Sequence, residues 1–186
     1  MVPVASLWLP IVLSAVAVFI VSSVIHMALG YHAQDFKALP SEDAVMEALR
    51  KFNLPPGDYV VPKPGSMAAM NTPAFKDKQA KGPVFIATFL KPGPSDMGGS
   101  LVKWFLFSIV VSVFAGYVGG RALGPGTHYL PVFRMVGTSA FMGYVLAHWP
   151  STIWYKKALG TTLRNTFDGL VYALVTAGVF GWLWPK

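Results

Sequence analysis

The sequence predicts an all-α integral membrane protein with about four transmembrane helices and a small α+β polar loop domain between helices 1 and 2. Three observations carry that expectation. Charged residues make up 12% of the 186-residue chain and hydrophobic residues 54%, against about 25% charged in an ordinary soluble domain. The apolar residues fall into long blocks, and the mean hydropathy is +0.51. Tryptophan and tyrosine stand at many of the block ends, at Trp8, Trp104, Tyr129, Trp149, Trp182 and Trp184. These side chains are apolar bodies with one polar handle and favour the headgroup level.

The first block, residues 1–29 with its apolar run from Leu7 to Leu29, contains no Lys, Arg, Asp or Glu. It exceeds the ~20 residues that cross a bilayer core. No basic residue precedes it and no small-residue cleavage signal follows, so a retained span is expected rather than a signal peptide. The remaining spans, within a membrane domain of residues 101–186, are expected at about 104–123, 132–149 and 167–184. Pro150 and Pro185 are read as helix stops. Between the last two, residues 151–166 read as an interfacial basic segment, with Ser151 as a cap and Gly160 as its end. Trp154, Tyr155, Ala158 and Leu159 fall on its apolar side and Lys156 and Lys157 on the other.

Residues 30–100 form the polar loop domain. Ser41 followed by Glu42 and Asp43 reads as a helix start, with acids near the positive helix end. Val45, Met46, Leu49 and Phe52 then recur at helical spacing, and Asn53 with Pro55 and Pro56 ends that helix. Gly57–Val61 and Val84–Leu90 read as strands bounded by glycine and proline. Pro73–Lys81 reads as a short basic helix. A lone two-strand ribbon is marginal in water, so this unit is expected to rest on the membrane domain or on a partner.

The net charge is +7. In a chain with several spans, lysine and arginine serve topology and contact with anionic lipids. No basic patch interleaved with aromatic residues points to nucleic acid. Nine basic residues precede the second span (Lys37, Arg50, Lys51, Lys63, Lys76, Lys78, Lys81, Lys91, Lys103) and three precede the fourth (Lys156, Lys157, Arg164). The other side carries Arg121, Arg134 and Lys186. Twelve against three places the long loop inside and both termini outside the cytoplasm of a bacterial inner membrane. Long loops count for less, so that orientation rests on Lys37, Lys91 and Lys103 near the helix ends.

Small residues repeat every four positions in three spans: Ser108, Ser112, Gly116 and Gly120; Ser139, Gly143 and Ala147; Gly169, Ala173, Ala177 and Gly181. That spacing lines one helix face, and in lipid close backbone approach is what holds helices together. These are helix-packing residues, within the chain or toward a membrane-protein partner or a second copy.

His26, His148, Arg164 and Asp168 lie near span ends, and alternating spans put all four on one side. They form a candidate interfacial polar cluster. Arg164 and Asp168 are four apart and so are expected to pair on one helix face. A bis-histidine haem at His26 and His148 lacks any further ligand pattern. Met67, Met70 and Met97 with His32 suggest soft copper ligands, but scattered methionines are ordinary packing residues. The chain has no cysteine, which excludes disulfides, thiolate metal sites and cysteine nucleophiles. No metalloprotease, phosphate-loop, nucleophile-elbow or paired-carboxylate pattern occurs. The sequence therefore nominates no catalytic residue and no cofactor.

Leu54-Pro55-Pro56-Gly57-Asp58-Tyr59 and the tail from Phe167-Asp168-Gly169 to Trp182-Leu183-Trp184-Pro185 resemble a family of small bacterial inner-membrane proteins with no assigned activity. The resemblance implies a layout over nearly the whole chain and no site residues. The expected function is an accessory, assembly or scaffold component of an inner-membrane complex. A small oligomeric transporter or channel is the alternative.

Overall fold

The computed structural model describes all 186 residues, which fall into two compact units, residues 1–37 with 96–186, and Ala38–Ser95. The first unit is a helical bundle. A 3-10 turn, Val4–Leu7, leads into α1 (Trp8–Ala28). The second unit contains α2 (Glu42–Arg50), β1 (Gly57–Val61), α3 (Pro73–Lys81) and β2 (Phe85–Phe89). The chain then returns to the bundle with α4 (Met97–Ala122), α5 (Tyr129–Val145), a short α6 (Trp149–Tyr155) and α7 (Leu159–Trp182).

Three helical stretches are long and apolar enough to cross a membrane: Val4–Ala28, Met97–Ala122 and Tyr129–Tyr155. The fourth expected span, α7, is 24 residues long but too polar for that criterion, because Arg164, Asn165 and Asp168 lie in its first half. It starts at Leu159, not at 167, so the expected interfacial segment 151–166 is divided between α6 and the first turns of α7. Pro150 does not end a helix. It occupies the first turn of α6, where a missing N–H costs nothing. The break falls instead at Lys156, whose φ of 56° is left-handed. Gly160 lies inside the first turn of α7 rather than at a helix end.

The bundle has an apolar core in which several small hydroxyl residues are also buried, and its outer surface is apolar as well, unlike that of a soluble domain. Ser14, Ser108, Ser112 and Thr176 are fully buried, whereas Val12, Val16, Ile20, Val24, Val110, Phe114, Leu170 and Leu174 are exposed. Serines permit close backbone approach and bond across helices. Ser14 Oγ donates to Ser112 Oγ at 3.0 Å, joining α1 to α4, and Trp104 Nε1 donates to Ser22 Oγ at 2.8 Å. Glycines do the same by absence. A Cβ at Gly116 of α4 would stand 3.0 Å from the ring of Phe180 on α7, and one at Gly119 would stand 2.9 Å from Val136 on α5. One at Gly120 would meet the Val2 carbonyl at 2.4 Å.

The stripe on α7 faces α5 within the chain. Ala173 and Ala177 are buried, and Gly181 lies against the ring of Tyr129. On α5 the buried row is Val132, Val136, Ala140 and Tyr144. It is offset from the expected Ser139, Gly143 and Ala147. Gly143 still approaches Val111, whereas Ser139 turns its hydroxyl to the Met135 carbonyl and Ala147 is exposed. Helical spacing defines a row but not which row meets a neighbour.

In the second unit, β1 and β2 pair antiparallel with Tyr59 opposite Ala87. Thr72 caps α3 by accepting from the Phe75 N–H. Ser41 does not cap α2; its φ is 54° and its side chain makes no cap bond. Pro62 is the one buried residue of this unit.

Candidate functional site

Gly30 follows the end of α1 with a φ of +64°, a conformation that costs glycine little. Two successive turns, Ala33 N to Gly30 O and Asp35 N to His32 O, then fold the chain back. This reversal lays Tyr31, His32 and Asp35 against the first turns of α7, which present Thr161, Arg164 and Asp168.

Asp168 is 3% exposed. A carboxylate so buried needs partners, and it has two: the Tyr31 hydroxyl donates to Oδ1, and His32 Nε2 lies 2.7 Å from Oδ2. The other nitrogen of His32, Nδ1, lies 2.6 Å from Asp35 Oδ2. Asp35 in turn accepts at Oδ1 from Arg164 Nε at 2.8 Å, from the Arg164 Nη2, and from Thr161 Oγ1 at 3.1 Å. A continuous chain therefore runs Arg164–Asp35–His32–Asp168–Tyr31. Both ring nitrogens of His32 face carboxylates, and only the imidazolium donates from both. In that state two carboxylates are balanced by two cations.

The electrostatics follow from the partners. Burial alone would raise the Asp35 carboxyl, but the hydrogen bonds from His32, Arg164 and Thr161, with the Arg164 charge, outweigh it and bring it down to about 2. Burial, then the hydrogen bond to Asp168 and that group's charge, push the Tyr31 hydroxyl well above the usual phenol range. Tyr31 therefore stays a donor at any physiological pH.

Of the four sequence-nominated residues, His26, Arg164 and Asp168 belong to this assembly. The His26 ring lies 4.5 Å from that of His32, centroid to centroid, and its Nε2 is 3.4 Å from the Tyr172 hydroxyl. Arg164 and Asp168 do not pair with each other as expected. Asp35 takes the guanidinium and Tyr31 with His32 take the carboxylate, because the reversed segment offers closer partners than the flank of one helix. His148 makes none of these bonds; it lines a cavity of about 210 Å³ together with His26, Asn165, Asp168 and Tyr172. His32 joins the two carboxylates through both of its nitrogens.

Tyr31, His32 and Asp35 were not nominated as a group. The available signal was the spacing Tyr31-His32-x-x-Asp35 directly after an apolar span, which puts three polar side chains on one or two turns at a membrane end. Chemically the assembly can hold a proton between two carboxylates through an imidazole, and it offers nitrogen and oxygen ligands to a cation. Comparison with known proteins gives no match to a protein-family model, to a curated protein or to a solved structure.

Proposed function

We propose that the chain is a four-span protein of the bacterial inner membrane, of the uncharacterised family it resembles, and that it works as a non-enzymatic accessory or scaffold component of a larger complex. The observation that carries this reading is the state of Ala38–Ser95. The unit has regular helices and a paired ribbon but buries only Pro62, while Phe52, Met67, Ile86 and Leu90 are exposed. A segment of that size cannot balance its chain entropy without burying apolar surface. A partner that covers it supplies the missing burial.

The length and facing of α7 support the four-span reading. Its 24 residues extend about 36 Å, enough for a ~30 Å hydrocarbon core. Its polar residues Thr161, Thr162, Asp168 and Thr176 are buried against protein, and Leu163, Phe167, Leu170 and Leu174 face outward. The alternative, an oligomeric transporter or channel, gains little support from the bundle interior, which is filled by Phe180, Leu7, Val18 and Val136.

The test is affinity purification in mild detergent, comparing the native chain with Phe52→Ser/Leu90→Ser. A membrane-protein partner that co-elutes stoichiometrically with the native chain and is lost from the variant supports the scaffold reading. A chain that elutes alone and conducts a solute in liposomes defeats it.

A further inference from the structure

We propose that His26, His32 and Asp168 form a binding site for one divalent first-row transition-metal ion, with Zn²⁺ as the natural occupant. One ligand atom from each of these residues falls within 4.8 Å of the other two. The three come from separate parts of the chain: the end of α1, the reversed segment after it, and α7.

The donor set selects the class of ion. Two imidazole nitrogens and one carboxylate oxygen suit borderline metals such as zinc and are a poor set for Mg²⁺ or Ca²⁺, which require mostly oxygen. Three protein ligands leave a further coordination position for water. His26 and His32 both line a cavity of about 340 Å³ that also reaches Lys157, Thr161 and Asn165, which gives the ion an approach and that water its space.

The surroundings are those that a metal-bound imidazole needs. A ligating histidine is held by a carboxylate on its other nitrogen, which fixes the ring and raises its basicity. Asp35 Oδ2 stands 2.6 Å from His32 Nδ1, and the other oxygen of that carboxylate, Oδ1, accepts from Arg164 and Thr161. His32 Nε2 is thereby directed at Asp168. Tyr31 holds the second oxygen of Asp168 and leaves Oδ2 for the ion. A packing cluster needs Asp168 neutralised but does not need this second tier behind His32.

The adjustment required is small. Ligand atoms around tetrahedral zinc stand roughly 3.3 Å apart, given bonds of ~2.0–2.1 Å. His32 Nε2 and Asp168 Oδ2 are at 2.7 Å, so the ion replaces the proton between them as they part by about 0.6 Å. His26 is exposed, and rotation of its side chain closes the remaining gap, its ligand atom lying within 4.8 Å of the other two, at the expense of the long 3.4 Å contact of its Nε2 with the Tyr172 hydroxyl.

The experiment uses the full chain in detergent, without a histidine tag and stripped by chelator, titrated with Zn²⁺ by calorimetry and with Co²⁺ by visible absorption. The expected result is one ion per chain, a Co²⁺ spectrum of a low-coordinate site, and no competition from excess Mg²⁺. His26→Gln and Asp168→Asn should each weaken binding by at least about 100-fold, and Asp35→Asn by about 10–100-fold. His128→Gln, outside the cluster, should bind as the native chain does. Because His26 is exposed, His26→Gln keeps the fold, which size-exclusion elution verifies; native affinity in that variant overturns the proposal. So does the absence of saturable binding by the native chain, displacement by Mg²⁺, or an equal loss in His128→Gln.

Discussion

Gly169 of α7 lies so close to Val145 of α5 that a Cβ on the glycine would stand 2.4 Å from a Val145 methyl. The same contact row continues at Gly137, where a Cβ would meet that of Ala177 at 3.0 Å, and at Gly181, where it would meet the Tyr129 ring at 2.6 Å. Leucine at Gly169, Ala177 or Gly181 should therefore force the two helices apart and cost about 1–3 kcal/mol each. The spacing alone would place Val171 and Val175 off the stripe and toward lipid, but both are half-buried against the core. Leu170 and Leu174 are exposed and serve instead: Leu174→Phe should cost under about 0.5 kcal/mol. Thermal unfolding in detergent, read with elution volume, decides this. Equal losses at Gly169 and Leu174 would remove the packing argument.

Arg164 matters chiefly because Asp35 is nearly enclosed. The Asp35 side chain is 9% exposed and that of Arg164 32%. Arg164→Leu leaves a carboxylate short of two donors and should cost about 1–3 kcal/mol, below the figure for a fully buried pair because the guanidinium is partly solvated. The double variant Asp35→Asn/Arg164→Leu should lose less than the sum of the two single variants, since the stranded charge is gone. Strict additivity would show that the pair is not coupled.

The Asp35 carboxyl gives this coupling a pH signature. Its pKa falls from 3.8 to about 2 on folding. The stability it contributes is thus fully present above pH 3.8 and is lost as pH falls toward 2. The native chain should be more stable than Asp35→Asn at pH 5, and the gap should shrink steadily below pH 3.8. A gap that is constant from pH 5 to pH 2.5 would place the stabilising interaction elsewhere.

Two tyrosine hydroxyls should respond in opposite ways to removal. The Tyr144 hydroxyl is buried without a hydrogen-bond partner, so Tyr144→Phe should leave stability unchanged or raise it by about 1 kcal/mol. Tyr31→Phe withdraws a donor from the buried Asp168 and should lower stability by about 1–3 kcal/mol. The same thermal assay checks both, and a loss in Tyr144→Phe as large as that in Tyr31→Phe would refute the contrast.

Orientation can be read by labelling, because the chain has no native cysteine. Single cysteines at Ser66 and Ser151 should resist a membrane-impermeant thiol reagent in intact cells, and one at Thr127 should react. The reverse pattern would invert the topology.

The elements of Ala38–Ser95 were the most legible in the sequence, since glycine and proline mark their ends locally. Gly57–Val61 and Pro73–Lys81 have the limits that the sequence suggests. The start of α7 was not legible. Arg164, Asn165 and Asp168 lower the hydropathy of residues 159–168 to that of a loop, and hydropathy averages over faces that the fold separates. The site divides in the same way. His26, Arg164 and Asp168 could be nominated from their places at span ends. Tyr31, His32 and Asp35 acquire their role only when Gly30 turns the chain back, a tertiary event with no period to detect. The pairing of Arg164 with Asp35 rather than Asp168 is illegible for the same reason: spacing along one helix cannot foresee a competitor from another segment.

The burial of Asp168 beneath Tyr31 and His32 also bears on how the protein is made. On the four-span reading, α7 leaves the ribosome after α1, α4 and α5 and is the one of the four that carries both a carboxylate and a guanidinium into or beside the bilayer. Alone in lipid it would have to shed or neutralise that charge. The groups that satisfy it, on the segment after α1, have by then already been synthesised and wait at the membrane surface. On that reading, insertion of α7 is a step of assembly rather than of partitioning: the helix enters the membrane as a client of the chain that precedes it, held there by the partners of one aspartate.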